Sequence, residues 1–252
     1  MKLWTSCVCL GATLWIAGCN NSAPAPAVAP PTTVAKTPGK AVEESAKQPE
    51  LAEKPVVKAP PKQVELTDEQ KQAIDDLKKL GGTIKTDASG NVVGIDLRDH
   101  AVKDDQLAPV LQFPNLKSLV IWGPDIHDAA LDTVCQLTHL QELEIENCPA
   151  VDDAGVEKLK TLVDLKSINL RRSGISDEAM KTLREMPKLQ QLHLLYTRLS
   201  DQGLVELKDM TRVTLLDLRG CAYITDSGIE NLEGLTNLQT LKLRNFGVTN
   251  AG

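Results

Sequence analysis

The sequence predicts an α/β solenoid: short repeats stacked so that their strands form one parallel, concave sheet. Three observations predict it. One phrase returns about seven times between Val93 and Gly252: apolar-x-apolar, a short turn, apolar-[Ser/Thr/Asp]-Asp, then Leu, Ile, Val or Met at every third residue. The first strand anchors are Ile95, Leu119, Leu143, Ile168, Leu192, Leu216 and Leu241, in steps of 24, 24, 25, 24, 24 and 25 residues. Aromatics are 3% of the chain against 42% hydrophobic, so the apolar content is aliphatic, as a solenoid built on Leu requires.

Before the repeats come three other stretches. Met1-Lys2 carries one positive side chain, and Leu3 to Ile16 is apolar but too short to span a bilayer comfortably. Small residues then precede a cysteine in Ile16-Ala17-Gly18-Cys19, so residues 1–18 read as a secretory signal peptide. Those four residues resemble the lipobox of bacterial lipoproteins. The resemblance implies that Cys19 is acylated and becomes the first residue of the mature chain. It also implies a membrane-anchored envelope protein, the outer membrane being favoured over the inner because residue 20 is Asn rather than Asp. A chance cysteine behind an ordinary signal peptide, or an uncleaved anchor, are the alternatives. Each acyl CH₂ contributes about 0.8 kcal/mol, and two or more chains give stable attachment.

Residues 19–64 change composition to Ala, Pro, Val, Lys and Glu, as in Ala23-Pro24-Ala25-Pro26 and Ala59-Pro60-Pro61. Proline removes donors and no apolar period appears, so this stretch reads as a disordered, partly polyproline-II tether. Fully extended, it reaches on the order of 140 Å at about 3.1 Å per residue. Residues 65–92 read as a capping unit. Thr67 caps a helix with Gln70 as its capping-box partner, and Ile74, Leu77 and Leu80 give one apolar stripe. Gly81-Gly82 ends the helix, and a hairpin turning at Asp87 to Asn91 follows. Such a unit covers the end that the first repeat would otherwise expose.

Residues 93–252 hold the repeats. His139 to Cys148 fits the pattern L-x-x-L-x-L-x-x-N/C, and the longer steps coincide with Cys148 and Cys221 at its last position. Helix starts recur at His127-Asp128, Asp152-Asp153, Ser176-Asp177, Ser200-Asp201 and Thr225-Asp226, where Ser, Thr or Asp caps the helix and complements its dipole. Small residues recur two positions later, at Ala130, Gly155, Ala179, Gly203 and Gly228, and let helix and strand layers approach. Apolar residues then follow in threes, as in Val156, Leu159, Leu162 and Leu165, so each run leaves the helix partway. These phrases resemble the cysteine-containing subclass of leucine-rich repeats, and with the lipobox the chain resembles bacterial leucine-rich repeat lipoproteins. His100, Pro124, Ser173, Thr197 and Phe246 depart from the pattern at the Asn/Cys position. The last copy stops before its helix, which leaves the end of the Leu241/Leu243 strand partly open.

No catalytic constellation stands out. The chain lacks Gly-x-Ser-x-Gly and phosphate-loop motifs, so it reads as a non-enzyme. His100, His127, His139 and His193 fall at different repeat phases, so no metal site is expected. Cys148 and Cys221 share a phase three repeats apart, about 15 Å at sheet spacing, too far for a disulfide. Net charge is −6 with mixed signs, which argues against nucleic acid as partner. Alternation along the strands places two columns on the concave face. Trp122 beside Glu144 and Glu146 makes one patch; Arg171, His193, Leu195, Tyr196 and Arg219 make another, with Arg244 beyond. Exposed Trp, Tyr and Arg are the types enriched at binding hot spots. The expected function is protein–protein or protein–glycan binding by an anchored envelope module. A structural protein that self-associates through its solenoid ends is the alternative. The covalent lipid on Cys19 is the only expected prosthetic group.

Overall fold

The capping unit and the repeats share one sheet. The structure, a computed structural model, describes residues 64–250. The expected signal peptide, the acylated Cys19 and the tether up to residue 63 lie outside the described residues. Val64, assigned above to the tether, already donates its N–H to the Ser89 carbonyl in the hairpin turn at 2.8 Å.

Helix α1 (Asp68–Lys79) starts as expected. Thr67 accepts from the Gln70 N–H at 3.2 Å, and the Gln70 amide oxygen accepts from the Thr67 N–H at 3.1 Å. Ala73 and Leu77 are its buried residues, and Gly81, at φ +80°, ends it. Strands β1 (Thr83–Thr86) and β2 (Val92–Leu97) form the antiparallel hairpin. From β2 onward all pairing is parallel: β3 (Ser118–Trp122), β4 (Glu142–Glu146), β5 (Ser167–Asn169), β6 (Gln191–His193), β7 (Leu215–Asp217) and β8 (Thr240–Lys242). The register joins Ile95, Leu119, Leu143, Ile168, Leu192, Leu216 and Leu241 into one ladder. These are the anchors spaced by the sequence period. A one-residue slip would turn every anchor to water, so the period and the register are one constraint.

Five short helices lie behind the sheet: α2 (Asp128–Val134), α3 (Asp153–Lys158), α4 (Asp177–Glu185), α5 (Asp201–Val205) and α6 (Asp226–Ile229). The apolar residues recurring in threes explain their brevity. After α3 the chain tightens into a 3-10 turn, Leu159–Thr161, and after α6 into another, Glu230–Leu232. Three residues per turn bring Val156, Leu159, Leu162 and Leu165 to one side, and all four are fully buried. In the first repeat the connection is a 3-10 segment, Asp104–Gln112, with Pro109 inside it, where an α-helical hydrogen bond would lack its donor. A single aliphatic core runs from Leu77 to Leu235. Each fully buried Leu or Ile contributes about 1.5–3 kcal/mol.

The recurrent Asp sits in the first turn of its helix, as expected, and has a second job. It reaches into the following repeat. Asp153, Asp177, Asp201 and Asp226 each accept from the backbone N–H of the next helix-start residue: Ser176, Ser200, Thr225 and Thr249 at 2.7–2.8 Å. Their second oxygens accept the hydroxyls of the same residues at 2.6 Å. Asp104 and Asp128 do the same for the His127 and Asp152 N–H groups. Among the helix-start residues, only Asp152 and Ser200 also cap their own helices by a side-chain hydrogen bond. The small residues follow from this arrangement. A Cβ on Gly203 would lie 2.5 Å from Asp177 Oδ1, and one on Gly228 would lie 2.1 Å from Asp201 Oδ1. Where Ala179 stands instead, its N–H donates to Asp153 at 3.2 Å.

A concave binding face

The middle residues of the strands form a ladder across the sheet: Asp96, Val120, Glu144, Asn169, His193, Asp217 and Lys242. Val120 is only 5% exposed although it faces the same side, so it offers little surface to a partner. Each strand then passes one buried aliphatic residue and presents a second side chain, and three strands build the same device there. In Asp96-Leu97-Arg98, Asn169-Leu170-Arg171 and Asp217-Leu218-Arg219, the Asp or Asn oxygen accepts from the arginine's own N–H, at 3.1, 3.1 and 3.4 Å. The two Asp residues also grip the guanidinium, Arg98 at 3.0 Å and Arg219 at 2.9 and 2.8 Å. An arginine held in this way loses less side-chain entropy when a ligand arrives. The repeated Asp/Asn-Leu-Arg phrase was the available sequence signal for Arg98, Asn169 and Asp217.

Trp122 stands half-buried in β3, paired with Glu146. Glu146 accepts from Asn169 Nδ2 at 2.7 Å and lies 3.9 Å from Arg171 Nη1, while Glu144 lies 3.5 Å from Arg98 Nη2. The two patches expected from the sequence therefore meet: Glu146 on one side bonds to Asn169 and Arg171 on the other. Nε of Arg171 is buried without a hydrogen-bond partner, which leaves one donor of this group unused.

His193 is half-buried between Asn169 and Asp217. Burial holds its imidazole below the usual 6.5; the charges of Lys242 and Arg219 add to this, and those of Asp217 and Glu144 oppose it. Asp217 is 1% exposed. Burial raises its carboxyl, but hydrogen bonds from Arg219 and the charges of Arg219 and Lys242 outweigh it, so the group lies below its usual 3.8.

Three expectations need correction. Leu195 is 8% exposed, so it cannot act as an exposed anchor. It lies in the ladder between Arg171 and Arg219, whose long stems can cover a leucine while the guanidiniums stay in water. Tyr196 is 48% exposed, but it sits in the turn after β6, at φ 56°, and so belongs to the rim of the face. Phe246 was aligned with Cys148 and Cys221 at the inward turn position. It is instead fully exposed, and Asn245 makes the internal bond, donating Nδ2 to the Cys221 carbonyl at 2.9 Å. Arg244 is exposed beside it, in a cavity of about 380 Å³ that also includes Tyr196 and Gly220.

Cys148 and Cys221 are buried, and their thiols donate to carbonyls, Glu146 at 3.2 Å and Leu194 at 3.1 Å. Among the described residues no three His, Cys, Asp or Glu side chains gather as a metal-binding group. Two of the histidines are held by carboxylates, His127 by Asp104 and His139 by Asp164. No helix among the described residues is long and apolar enough to cross a membrane.

Comparison with known proteins agrees with this architecture. The family model described as leucine rich repeat matches residues 136–160 and 211–232. No curated protein matches the chain. Among solved structures, the complex of Rad7 and Elc1 from yeast is similar at 23% identity and a TM-score of 0.51, over 59% of this chain and 41% of that one. This chain thus spans less than half the length of that relative. Internalin C2 from Listeria monocytogenes is similar at 20% identity and a TM-score of 0.44, over 62% of this chain and 73% of that one. The fold is a leucine-rich repeat solenoid.

Proposed function

We propose that this leucine-rich repeat protein is a non-catalytic binding module that grips a protein partner on its concave face. The observation that carries the reading is Trp122 set among oriented charges. Its strand partner Glu146 is tied to Asn169 and Arg171, and its neighbour Glu144 to Arg98. A partly exposed indole among pre-positioned guanidiniums is the composition of an interface hot spot. A parallel sheet on a continuous core holds these groups at fixed spacing, so little is spent on ordering them. The charges favour a protein epitope over a neutral glycan, which has no group to match them. The fold supports the same reading, since solenoids of this kind present extended concave surfaces.

The N-terminal motif adds an anchor to the proposal. Acylation of Cys19 would hold the module on an envelope membrane at the end of a Pro- and Ala-rich stretch. The support is the order of the residues from Leu3 to Cys19. In the test, Cys19→Ser moves the chain from the membrane to the soluble fraction; unchanged retention would refute the anchor.

The binding reading is tested by crosslinking on intact cells with the native chain and the Trp122→Ala and Arg171→Glu variants. A protein crosslinked to the native chain and lost from both variants supports it. An identical crosslinking pattern in all three places binding elsewhere and removes the concave face from consideration.

A further inference from the structure

Five turns leave the sheet at the same phase, through Gly123, Asn147, Arg172, Tyr196 and Gly220, and all five have positive φ. Glycine and asparagine adopt this conformation at little cost, whereas Arg172 and Tyr196 hold it against their intrinsic preference. Backbone strain of this kind persists where the side chain it delivers has a use. Here the two side chains build a stack along the rim. Arg172 Nη1 donates to Asn147 Oδ1 at 3.3 Å, and its guanidinium lies 5.2 Å from the centroid of the Tyr196 ring. The Tyr196 ring in turn covers Gly220, where a Cβ would meet it at 2.3 Å.

Beyond Gly220 the rim opens into the cavity of about 380 Å³, lined by Tyr196, Gly220, Arg244, Asn245 and Phe246. One wall is the phenol ring, 48% of Tyr196 being exposed, and the other is Phe246, which is fully exposed. The Arg244 side chain makes no ion pair among the described residues, although Arg98, Arg171 and Arg219, the other arginines of the column, all do. Arg172 lies against Tyr196, and the strands on either side of the turn add Arg219 and Lys242, which share the buried carboxylate of Asp217.

We propose that this slot docks an acidic segment of a partner protein, which inserts one aromatic ring between Tyr196 and Phe246 and sets a carboxylate against Arg244. The proposal rests on the protein-binding reading and names the partner's chemistry. Two exposed aromatic side chains lining one cavity favour a third ring beside them, in stacked or edge-on contact. An unpaired guanidinium at the mouth favours a carboxylate, which it can bind through two parallel hydrogen bonds. Arg172 holds Tyr196 in place from behind by a cation–π contact. Gly220, lacking a Cβ, lets the Tyr196 ring lie against the turn.

The probe is a fluorescent acidic heptapeptide with one central phenylalanine, titrated by anisotropy against the full-length chain. Saturable binding is expected, at least tenfold tighter than for the same peptide with a central leucine or with lysines in place of its acids. Arg244→Glu and Phe246→Ala change exposed side chains, and each is expected to weaken binding at least tenfold. Gly220→Asn keeps a residue that tolerates the left-handed turn, but its Cβ would meet the Tyr196 ring and displace that wall of the slot, so it is expected to do the same. Absence of binding to the native chain, or affinities that ignore the ring, the charge or these variants, would overturn the proposal. Trp122→Ala and Arg171→Glu test the concave face separately, by partner crosslinking. If they abolish partner crosslinking while the peptide fails to bind, the concave face stands and the slot alone falls.

Discussion

Asp177 binds Ser200 twice across a repeat boundary, accepting the serine N–H at 2.8 Å and its hydroxyl at 2.6 Å. The pair belongs to a column, with Asp153–Ser176, Asp201–Thr225 and Asp226–Thr249 built alike. Such a bond exists only once two repeats have stacked, so it contributes to the coupling between repeats rather than to the stability of either helix. In a stack stabilised by nearest neighbours, that coupling sets the cooperativity of unfolding. Asp177→Ala strands a partly buried N–H and a hydroxyl, at a cost of about 2–3 kcal/mol, and Ser200→Ala costs about 1 kcal/mol. Because Ser200 also caps its own helix, the two should couple in a double-mutant cycle by about 0.5 kcal/mol or more, as read by urea denaturation. Additive losses would mean that the Asp serves only its own helix.

That column also marks the boundary of what the sequence makes legible. The anchors from Ile95 to Leu216 were readable because a buried apolar ladder must repeat at the chain's own period, and Leu241, 39% exposed, keeps the same register. The capping box at Thr67 and Gln70 was readable because both partners lie within four residues. Asp177 was recognised as recurrent but credited to its own helix, since its true partner is 23 residues away. Gly203 was credited to layer packing for the same reason; its neighbour is the Asp177 carboxylate. On the concave face, alternation placed Trp122, Glu144 and His193, but alternation is blind to the length of neighbouring side chains and so misjudged Leu195. A slip of one residue in the last turn put Asn245 inside and Phe246 outside, and no periodic signal reports such a slip.

Asp217 and Arg219 are unequal partners. The carboxylate is 1% exposed, whereas the side chains of Arg219 and Lys242 keep 44% and 41% of their surface in water. Removing the arginine leaves a desolvated charge with Lys242 at 3.8 Å as its remaining cation. Removing the charge of the acid leaves two cations that water can serve. Arg219→Ala should therefore lower the urea midpoint at pH 7 more than Asp217→Asn does. Because the Asp217 carboxyl lies below its usual 3.8, its contribution is present above that pH and lost as pH falls through the depressed value. The two variants should converge in stability in that acid limb. Equal midpoints at pH 7 would sink the argument.

His193 gives the same sign in a higher pH window. Burial depresses its pKa below 6.5, so between the depressed value and 6.5 the unfolded chain binds a proton that the folded chain refuses. Stability therefore falls as pH drops through 6.5 and levels off below the folded pKa. Carboxylates such as Asp217 and Asp164 act only at lower pH, since theirs lie below 3.8. His193→Gln should flatten this part of the pH profile, as read from unfolding free energies between pH 7 and 5. His100, His127 and His139 remain in both proteins, so the difference between the two profiles isolates His193. A variant whose slope matched the native chain would show that the imidazole is protonated as easily folded as unfolded.

The three described cysteines should separate by reactivity. Burial pushes the Cys148 thiol up to about 12, with the charges of Asp104 and Glu146 adding to it against a hydrogen bond from the Gly123 backbone. Burial raises Cys221 as well, although hydrogen bonds involving Thr197 and the Tyr196 backbone oppose it. Cys135 is only partly covered. Alkylation proceeds through the thiolate, and at pH 8 a shift from 9 to about 12 lowers the thiolate fraction roughly 1,000-fold before access is counted. Iodoacetamide followed by peptide mapping should modify Cys135 in the folded protein. Cys148 and Cys221 should react only after urea is added. Since Cys148 and Cys221 close their turns from inside, their labelling should track the opening of whole repeats and follow the same urea midpoint as the loss of helix. Labelling of either one well below that midpoint would mean that its turn opens locally, and that the core does not run unbroken through that repeat.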